Sequence, residues 1–225
     1  MTRTRPGEPQ NHRHIDLMRS MGPEVMGHGA GFTWRDDPRR LVFMLSRYKF
    51  VAKMLAGLEH VLEIGCADGF GTRLVAQAVG RVTGIDFDPD YIESAVATAN
   101  PRFPIAFSVH DILAEPFPGR FDAVFALDVL EHVARSDADR FMANCIHGLP
   151  AHGVCIMGMP SLESQPHASE GARMGHVNCM TQPDFKTFME GSFFNVFMFA
   201  MNDEVLHTGF SRMAHYNFAL CCGRR

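Results

Sequence analysis

The residues best placed to do chemistry begin in one short stretch, Glu63-Ile64-Gly65-Cys66-Ala67-Asp68-Gly69-Phe70-Gly71. Glycines close together bring backbone next to a ligand, because they add no side chain and reach left-handed conformations freely. Two ligand classes use such a loop. A dinucleotide's pyrophosphate is read by G-x-G-x-x-G. Counted from Gly65, that pattern needs glycines at 67 and 70, where the chain has Ala67 and Phe70. The alternative is acid-x-Gly-x-Gly-x-Gly, which Glu63, Gly65, Ala67, Gly69 and Gly71 meet with one glycine replaced by alanine. A ligand without phosphate suits this version, and Glu63 then faces a cationic group or anchors the loop's amides. Cys66 offers its backbone rather than its thiol. A nicotinamide-dependent oxidoreductase is disfavoured by the same spacing.

A loop of this kind must hang from a strand, and the surrounding pattern supplies one. Apolar runs at 61–64, 82–85, 105–109, 123–127 and 154–159 read as strands. They alternate with helical spacing at 72–79, from Pro89 to before Pro101, from Ser136 towards Leu149, and at 181–190. That alternation predicts an α/β fold, Rossmann-like, with helices on both faces of a mostly parallel sheet. Asp88-Pro89, Ser136-x-x-Asp139 and Thr181-x-x-Asp184 are N-terminal cap signals. Two further runs, 193–200 and 214–221, follow one another with only the loop 202–212 between them. They bring the count to seven strands, the last antiparallel, paired at the edge of the sheet. Helical spacing also covers 38–55. Ahead of it lie the glycine-rich GHGAGFTW, residues 27–34, and a basic N-terminus read as a frayed arm. The chain is expected to form a single domain over 1–225, with 1–35 as arm or lid and 160–180 as a ligand-side loop.

With these elements in order, the glycine stretch resembles motif I of the class I S-adenosylmethionine-dependent methyltransferases. Three more stations match in register. Gly84-Ile85-Asp86 ends the second strand, His110-Asp111-Ile112 follows the third, and Phe121-Asp122-Ala123-Val124 through Leu127-Asp128-Val129-Leu130-Glu131-His132 is similar to the fourth strand in the ubiquinone-biosynthesis-like and type 11/12-like branch. The resemblance implies S-adenosyl-L-methionine as cofactor and S-adenosyl-L-homocysteine as product. It implies a cofactor site at Glu63, Gly65, Cys66, Ala67, Gly69, Asp86, Phe87, His110, Asp111, Ile112 and Leu127. Asp86 is expected at the ribose hydroxyls, although it also suits a turn. Phe87 fits the adenine face or the core. Asp111 fits the adenine amino group or a turn.

The sulfonium methyl of this cofactor is already activated, so the enzyme's task is alignment and exclusion of water. If the acceptor is a hydroxyl, a base helps to remove its proton, and histidine suits that role near neutral pH. His132, just after the fourth strand, and His176, in the long segment 160–180, are the candidates for catalysis. Long segments on the ligand side of a fold are usually functional, so 160–180 and GHGAGFTW are assigned to acceptor binding and lid closure. The N-P-P-Y type sequence associated with amide and exocyclic nitrogen methylation is absent at 127–130. A small-molecule acceptor follows, with oxygen as the expected atom, in a sugar, a polysaccharide precursor or a secondary metabolite. N-methylation of a small amine and cofactor binding without catalysis are the alternatives.

Composition narrows the rest. The 225 residues carry a formal charge of −4, which gives no electrostatic reason for a nucleic-acid partner. The longest apolar run is too short to cross a bilayer, and the N-terminus lacks the apolar stretch of a secretory signal. None of the six cysteines forms a C-x-x-C pair, which fits free thiols in a reducing cytoplasm. His176 and Cys179 stand at H-x-x-C spacing, but no second pair accompanies them, and no metal is expected. A homodimer is compatible with the sequence.

Overall fold

The computed structural model describes the backbone of residues 9–225 and side chains from Asn11 onward; the first part of the expected N-terminal arm lies outside the described residues. Three helices, α1 (Pro9–Met21), α2 (His28–Asp36) and α3 (Pro38–Met54), lead into an alternating core. The core runs β1 (His60–Ile64), α4 (Thr72–Ala76), β2 (Arg81–Asp86), α5 (Pro89–Ala97), β3 (Ile105–Val109), β4 (Ala123–Leu127), α6 (Ala138–Cys145) and β5 (Val154–Pro160). It continues through α7 (Glu170–Gly175), α8 (Gln182–Glu190), β6 (Phe193–Asn202), β7 (Val205–His207) and β8 (Tyr216–Arg224).

The strands form one sheet in the order β3-β2-β1-β4-β5-β8-β6-β7. The first five are parallel to one another, and β8 runs antiparallel to both β5 and β6. Alternating side chains supply two cores. On one face Tyr48 and Val51 of α3, Leu55 just after it and Val75 of α4 pack on Val61, Phe125 and Phe218. On the other, Phe141 and Met142 of α6 and Phe185 and Met189 of α8 cover Leu62, Val124 and Met157. Each such side chain, fully buried, contributes about 1.5–3 kcal/mol. Among the described residues, no helix is long and apolar enough to cross a membrane.

Three local expectations are corrected by tertiary context. The sheet has eight strands, not seven, because residues 202–212 fold back as the short hairpin strand β7 on β6, turning at Asp203 with φ +50°. The final two long strands do pair antiparallel at this end of the sheet, with β8 on the inner side and β6 on the outer. Tyr216–Ala219 are buried on both faces, whereas Phe194 and Phe197 of β6 stay exposed, so β8 takes the interior position. The capping box at Ser136 does not form: a 3₁₀ turn at Arg135–Asp137 intervenes, and α6 starts at Ala138 without a side-chain cap. Lastly, GHGAGFTW becomes the helix α2 despite its glycines. Its first turn is held from outside, with His28 N donating to Ser94 Oγ at 3.0 Å and Ala30 N donating to Asp68 Oδ2 at 2.7 Å. Segment 160–180 is ordered in the same way. Ser161 and Ser169 cap its 3₁₀ turn and α7 by accepting from Ser164 N and Ala172 N. By contrast Asp37, Asp88 and Thr181 cap α3, α5 and α8 with their side chains, each followed closely by a proline.

Candidate active site

Adjacent strands β2, β1 and β4 end side by side, and in this architecture ligands bind outside the carboxyl ends. The glycine loop leaves β1 there. Gly65 N and Cys66 N both donate to Ile85 O, at 2.8 and 3.0 Å, which fastens the loop to β2. Residues 65, 67 and 69 are all left-handed, with φ of +74°, +47° and +70°. At Gly65 a β-carbon would come within 2.3 Å of Val129 Cγ2, and at Gly69 within 2.3 Å of Phe107 Cζ, so both positions require glycine. Ala67 occupies the middle left-handed position, where an L-residue costs roughly 1–2 kcal/mol.

Beneath the loop Glu63 is buried and accepts a hydrogen bond from the Tyr48 hydroxyl at 2.6 Å. Burial pushes its carboxyl up to about 7, against the opposing help of Thr72 and Tyr48. The Thr72 hydroxyl is near enough to favour the charged form, yet neither it nor Glu63 Oε2 makes a hydrogen bond of good geometry. Glu63 therefore faces helix α3 in place of the loop's amides. Cys66 is also buried, and desolvation raises its thiol far above the usual range, which leaves no reactive thiolate.

Asp86 ends β2 and is nearly buried. Its Oδ2 accepts from Ala67 N at 2.9 Å and its Oδ1 from Asp88 N at 3.0 Å. Each oxygen keeps a further lone pair, so the carboxylate can still accept from a vicinal diol. Phe87 beside it is 74% exposed, which removes the core reading and leaves an open aromatic face. His110 binds Glu115 O through Nε2 and lies edge-on to Phe117. Asp111 Oδ1 accepts from Leu113 N at 2.9 Å, a turn role, while Ile112 and Leu127 are buried in the cores. The structure thus brings Gly65, Cys66, Ala67, Gly69 and Asp86 into one hydrogen-bonded unit with Phe87 alongside. A cavity of about 220 Å³ opens next to this unit, lined by Asp68, Gly69, Arg73, Thr98 and Phe107. A second, of about 610 Å³ between Asp122, His147 and Arg224, lies at the amino ends of the strands and away from the loop.

At the end of β4 a second group collects. Asp128 adopts φ +58° and pairs with Arg47 of α3, whose Nη1 lies 2.8 and 2.7 Å from the two carboxylate oxygens. The same guanidinium stacks 3.8 Å above the Tyr216 ring. Glu131 follows in a 3₁₀ turn, 0% exposed, with neither side-chain oxygen hydrogen-bonded. Burial first, and Asp128 second, raise its carboxyl well above the ordinary range. Val177 N and Asn178 N donate to its backbone oxygen at 2.8 and 3.0 Å, which zips segment 160–180 onto the end of β4. That contact places His176 next to His132, ring centroids 5.1 Å apart. His132 Nδ1 is 2.9 Å from Gly175 O, and His176 Nδ1 is 2.9 Å from Gln165 Oε1. Burial and the neighbouring His132 lower the pKa of His176, favouring its neutral form. The two histidines offered separately as candidates for catalysis thus stand side by side.

Arg47, Tyr48, Asp68 and Glu131 are not among the residues the sequence points to. Asp68 is tied to α2 through Ala30 N and to its own loop through Phe70 N at 3.3 Å. The only sequence signals were the R-Y-K-F stretch at 47–50 and the acid pair in L-D-V-L-E-H at 127–132.

Known proteins resemble this chain in sequence and in fold. Residues 61–153, from β1 to the start of β5, match the family described as Methyltransferase domain. A probable S-adenosylmethionine-dependent methyltransferase of Mycolicibacterium smegmatis is 35% identical over 116 residues, which cover 51% of this chain and 42% of that protein. A ubiquinone biosynthesis O-methyltransferase of Xanthomonas campestris is 32% identical over 105 residues, 44% of each chain. The chain spans less than half the length of these curated relatives. In fold it is similar to the N-methyltransferase NodS of Bradyrhizobium japonicum, solved with S-adenosyl-L-homocysteine, at TM-score 0.65 and 21% identity over 88% of this chain and 94% of that one. These matches support a class I S-adenosylmethionine-dependent methyltransferase.

Proposed function

We propose that this chain transfers a methyl group from S-adenosyl-L-methionine to a hydroxyl oxygen of a small-molecule acceptor, in the class of sugars, polysaccharide precursors or secondary metabolites. The observation that carries this reading is the group at the end of β4, where Glu131, His132 and His176 meet on the side from which an acceptor would approach. A hydroxyl nucleophile needs somewhere for its proton to go, and a neutral imidazole near pH 7 provides it.

The residues at β1 and β2 fit the cofactor. Asp86 has lone pairs to spare for ribose hydroxyls, exposed Phe87 offers a face for adenine, and the left-handed loop 65–69 presents backbone in place of side chains. Asp111, in its turn, is assigned to the adenine amino group. When bound, the cofactor supplies a methyl carbon activated by its sulfonium. The chain's own part is to hold the acceptor beside the end of β4 and to receive its proton at His132 or His176. In this reading residues 1–225 are one domain, with α2 and segment 160–180 framing the acceptor side and excluding water.

The test is incubation with methyl-¹³C-labelled S-adenosylmethionine and a panel of sugar, phenolic and amine acceptors, followed by NMR of the product. An O-methyl signal is expected. Label on nitrogen overturns the oxygen assignment, and failure to bind S-adenosylhomocysteine by calorimetry overturns the reading entirely. The relative named a ubiquinone biosynthesis O-methyltransferase supports oxygen as the first acceptor atom to try.

A further inference from the structure

Glu131 is a buried carboxylate with both oxygens unpartnered. Buried carboxylates are paired, hydrogen-bonded or bound to a metal ion, because taking an isolated charge out of water is costly. Arg47 attracts the Glu131 carboxylate from a distance, but its hydrogen bonds go to Asp128. Among the described residues, the imidazoles of His132 and His176 are placed to complete Glu131 as a ligand set: one donor atom from each of the three residues lies within 4.8 Å of the other two.

The histidines are held as ligands are held. A carbonyl oxygen only accepts, so His132 Nδ1 carries the proton it donates to Gly175 O, and its lone pair is on Nε2. His176 Nδ1 donates to Gln165 Oε1 in the same manner. Metal-binding histidines characteristically give their other ring N–H to a carbonyl or carboxylate, which fixes the tautomer and ring orientation. The scaffold is set beforehand, since the backbone of Glu131 is zipped to Val177 and Asn178 beside His176.

We propose that Glu131, His132 and His176 bind one divalent first-row transition-metal ion, with at least one coordination position left open towards the acceptor side. Two imidazoles and one carboxylate suit zinc, iron or cobalt better than magnesium, which prefers oxygen ligands and water. Three protein ligands with an open position is the arrangement of catalytic rather than structural zinc sites. The ion's role rests on the proposed hydroxyl acceptor. An alcohol oxygen in the open position loses its proton more readily, as metal-bound water does. The lone pairs of His132 and His176 then serve the ion, so with the ion bound the acidified hydroxyl gives its proton to solvent water, and the imidazoles take up the proton directly only when the ion is absent. The site departs from the sequence-based expectation of no metal, which weighed His176 only with Cys179.

The experiment uses the full chain, stripped with chelator and titrated with Co²⁺, reading the visible d–d bands and then their loss when Zn²⁺ competes. One equivalent of Co²⁺ per chain is expected, with binding at least 10-fold weaker in Glu131→Gln, His132→Gln and His176→Gln, whereas Cys179→Ser binds like the parent. The two histidine variants change residues that are not fully buried, and S-adenosylhomocysteine affinity reports that every variant is folded. Absence of a Co²⁺ spectrum, or binding unchanged in all three variants, overturns the site. Because the readout is spectroscopic, an enzyme that binds Co²⁺ but methylates nitrogen overturns only the acceptor reading.

Discussion

Replacing Glu63 with Gln should flatten a specific part of the protein's stability–pH curve. Burial holds the folded carboxyl at about 7, above its ordinary 4.5. The folded chain therefore binds a proton that the unfolded chain releases. The stability this adds is complete below the unfolded value and disappears as pH rises through about 7. Within that interval each pH unit removes about 1.4 kcal/mol, so going from about pH 5.5 to about pH 7 lowers stability by about 2 kcal/mol through this one group. Glutamine keeps an oxygen to accept from the Tyr48 hydroxyl but has no proton to lose. Urea unfolding followed by circular dichroism at several pH values gives the two curves. The variant-minus-parent difference should climb by about 2 kcal/mol across that window and level off above about pH 8. Parallel curves would show that Glu63 is ionised in the fold, and the account of it as a carboxyl held protonated by burial against Tyr48 would fail.

Three further outcomes follow from the same geometry. Asp86→Ala removes the acceptor for Ala67 N and Asp88 N together with the site assigned to ribose; S-adenosylhomocysteine affinity should fall on the order of 100-fold by calorimetry, since hydrogen bonds to a charged group are worth about 1.5–3 kcal/mol each. Ala67→Gly relieves the left-handed alanine, and after the entropy glycine adds to the unfolded chain it should stabilise by about 0.5–1 kcal/mol in urea titrations. Asp68→Ala leaves the Ala30 amide without its partner; hydrogen exchange should accelerate at the start of α2 while the amides of β1 and β4 keep their protection.

What the sequence made legible was whatever local chemistry decides. The apolar runs of β1 to β5 and the caps at Asp88 and Thr181 depend on neighbours within a few residues, and they form as read. The loop's ligand class was legible because glycine spacing is a local steric fact. The position of β8 was not. Whether it lies inside or at the edge depends on burial of Tyr216 and Phe218 against α3, some 170 residues away in the chain. Helix α2 was hidden for the same reason, because its caps come from Asp68 and Ser94. Glu131 was quoted as part of a motif, but that its carboxyl is buried and unpartnered is a property only of the assembled site. Histidines 132 and 176 could be proposed separately from their positions; that they stand ring to ring needed the backbone zip at Val177 and Asn178.

The tie between Asp68 and Ala30 has an experimental consequence. The chain contains one tryptophan, Trp34, and it lies on α2 with 57% of its surface exposed. The helix carrying that indole is fastened to the middle of the glycine loop by a single carboxylate. Intrinsic fluorescence of the unlabelled protein is therefore an optical gauge of whether the N-terminal helix is seated on the loop. Stopped-flow mixing with S-adenosylhomocysteine can time that seating against cofactor entry without any engineered probe.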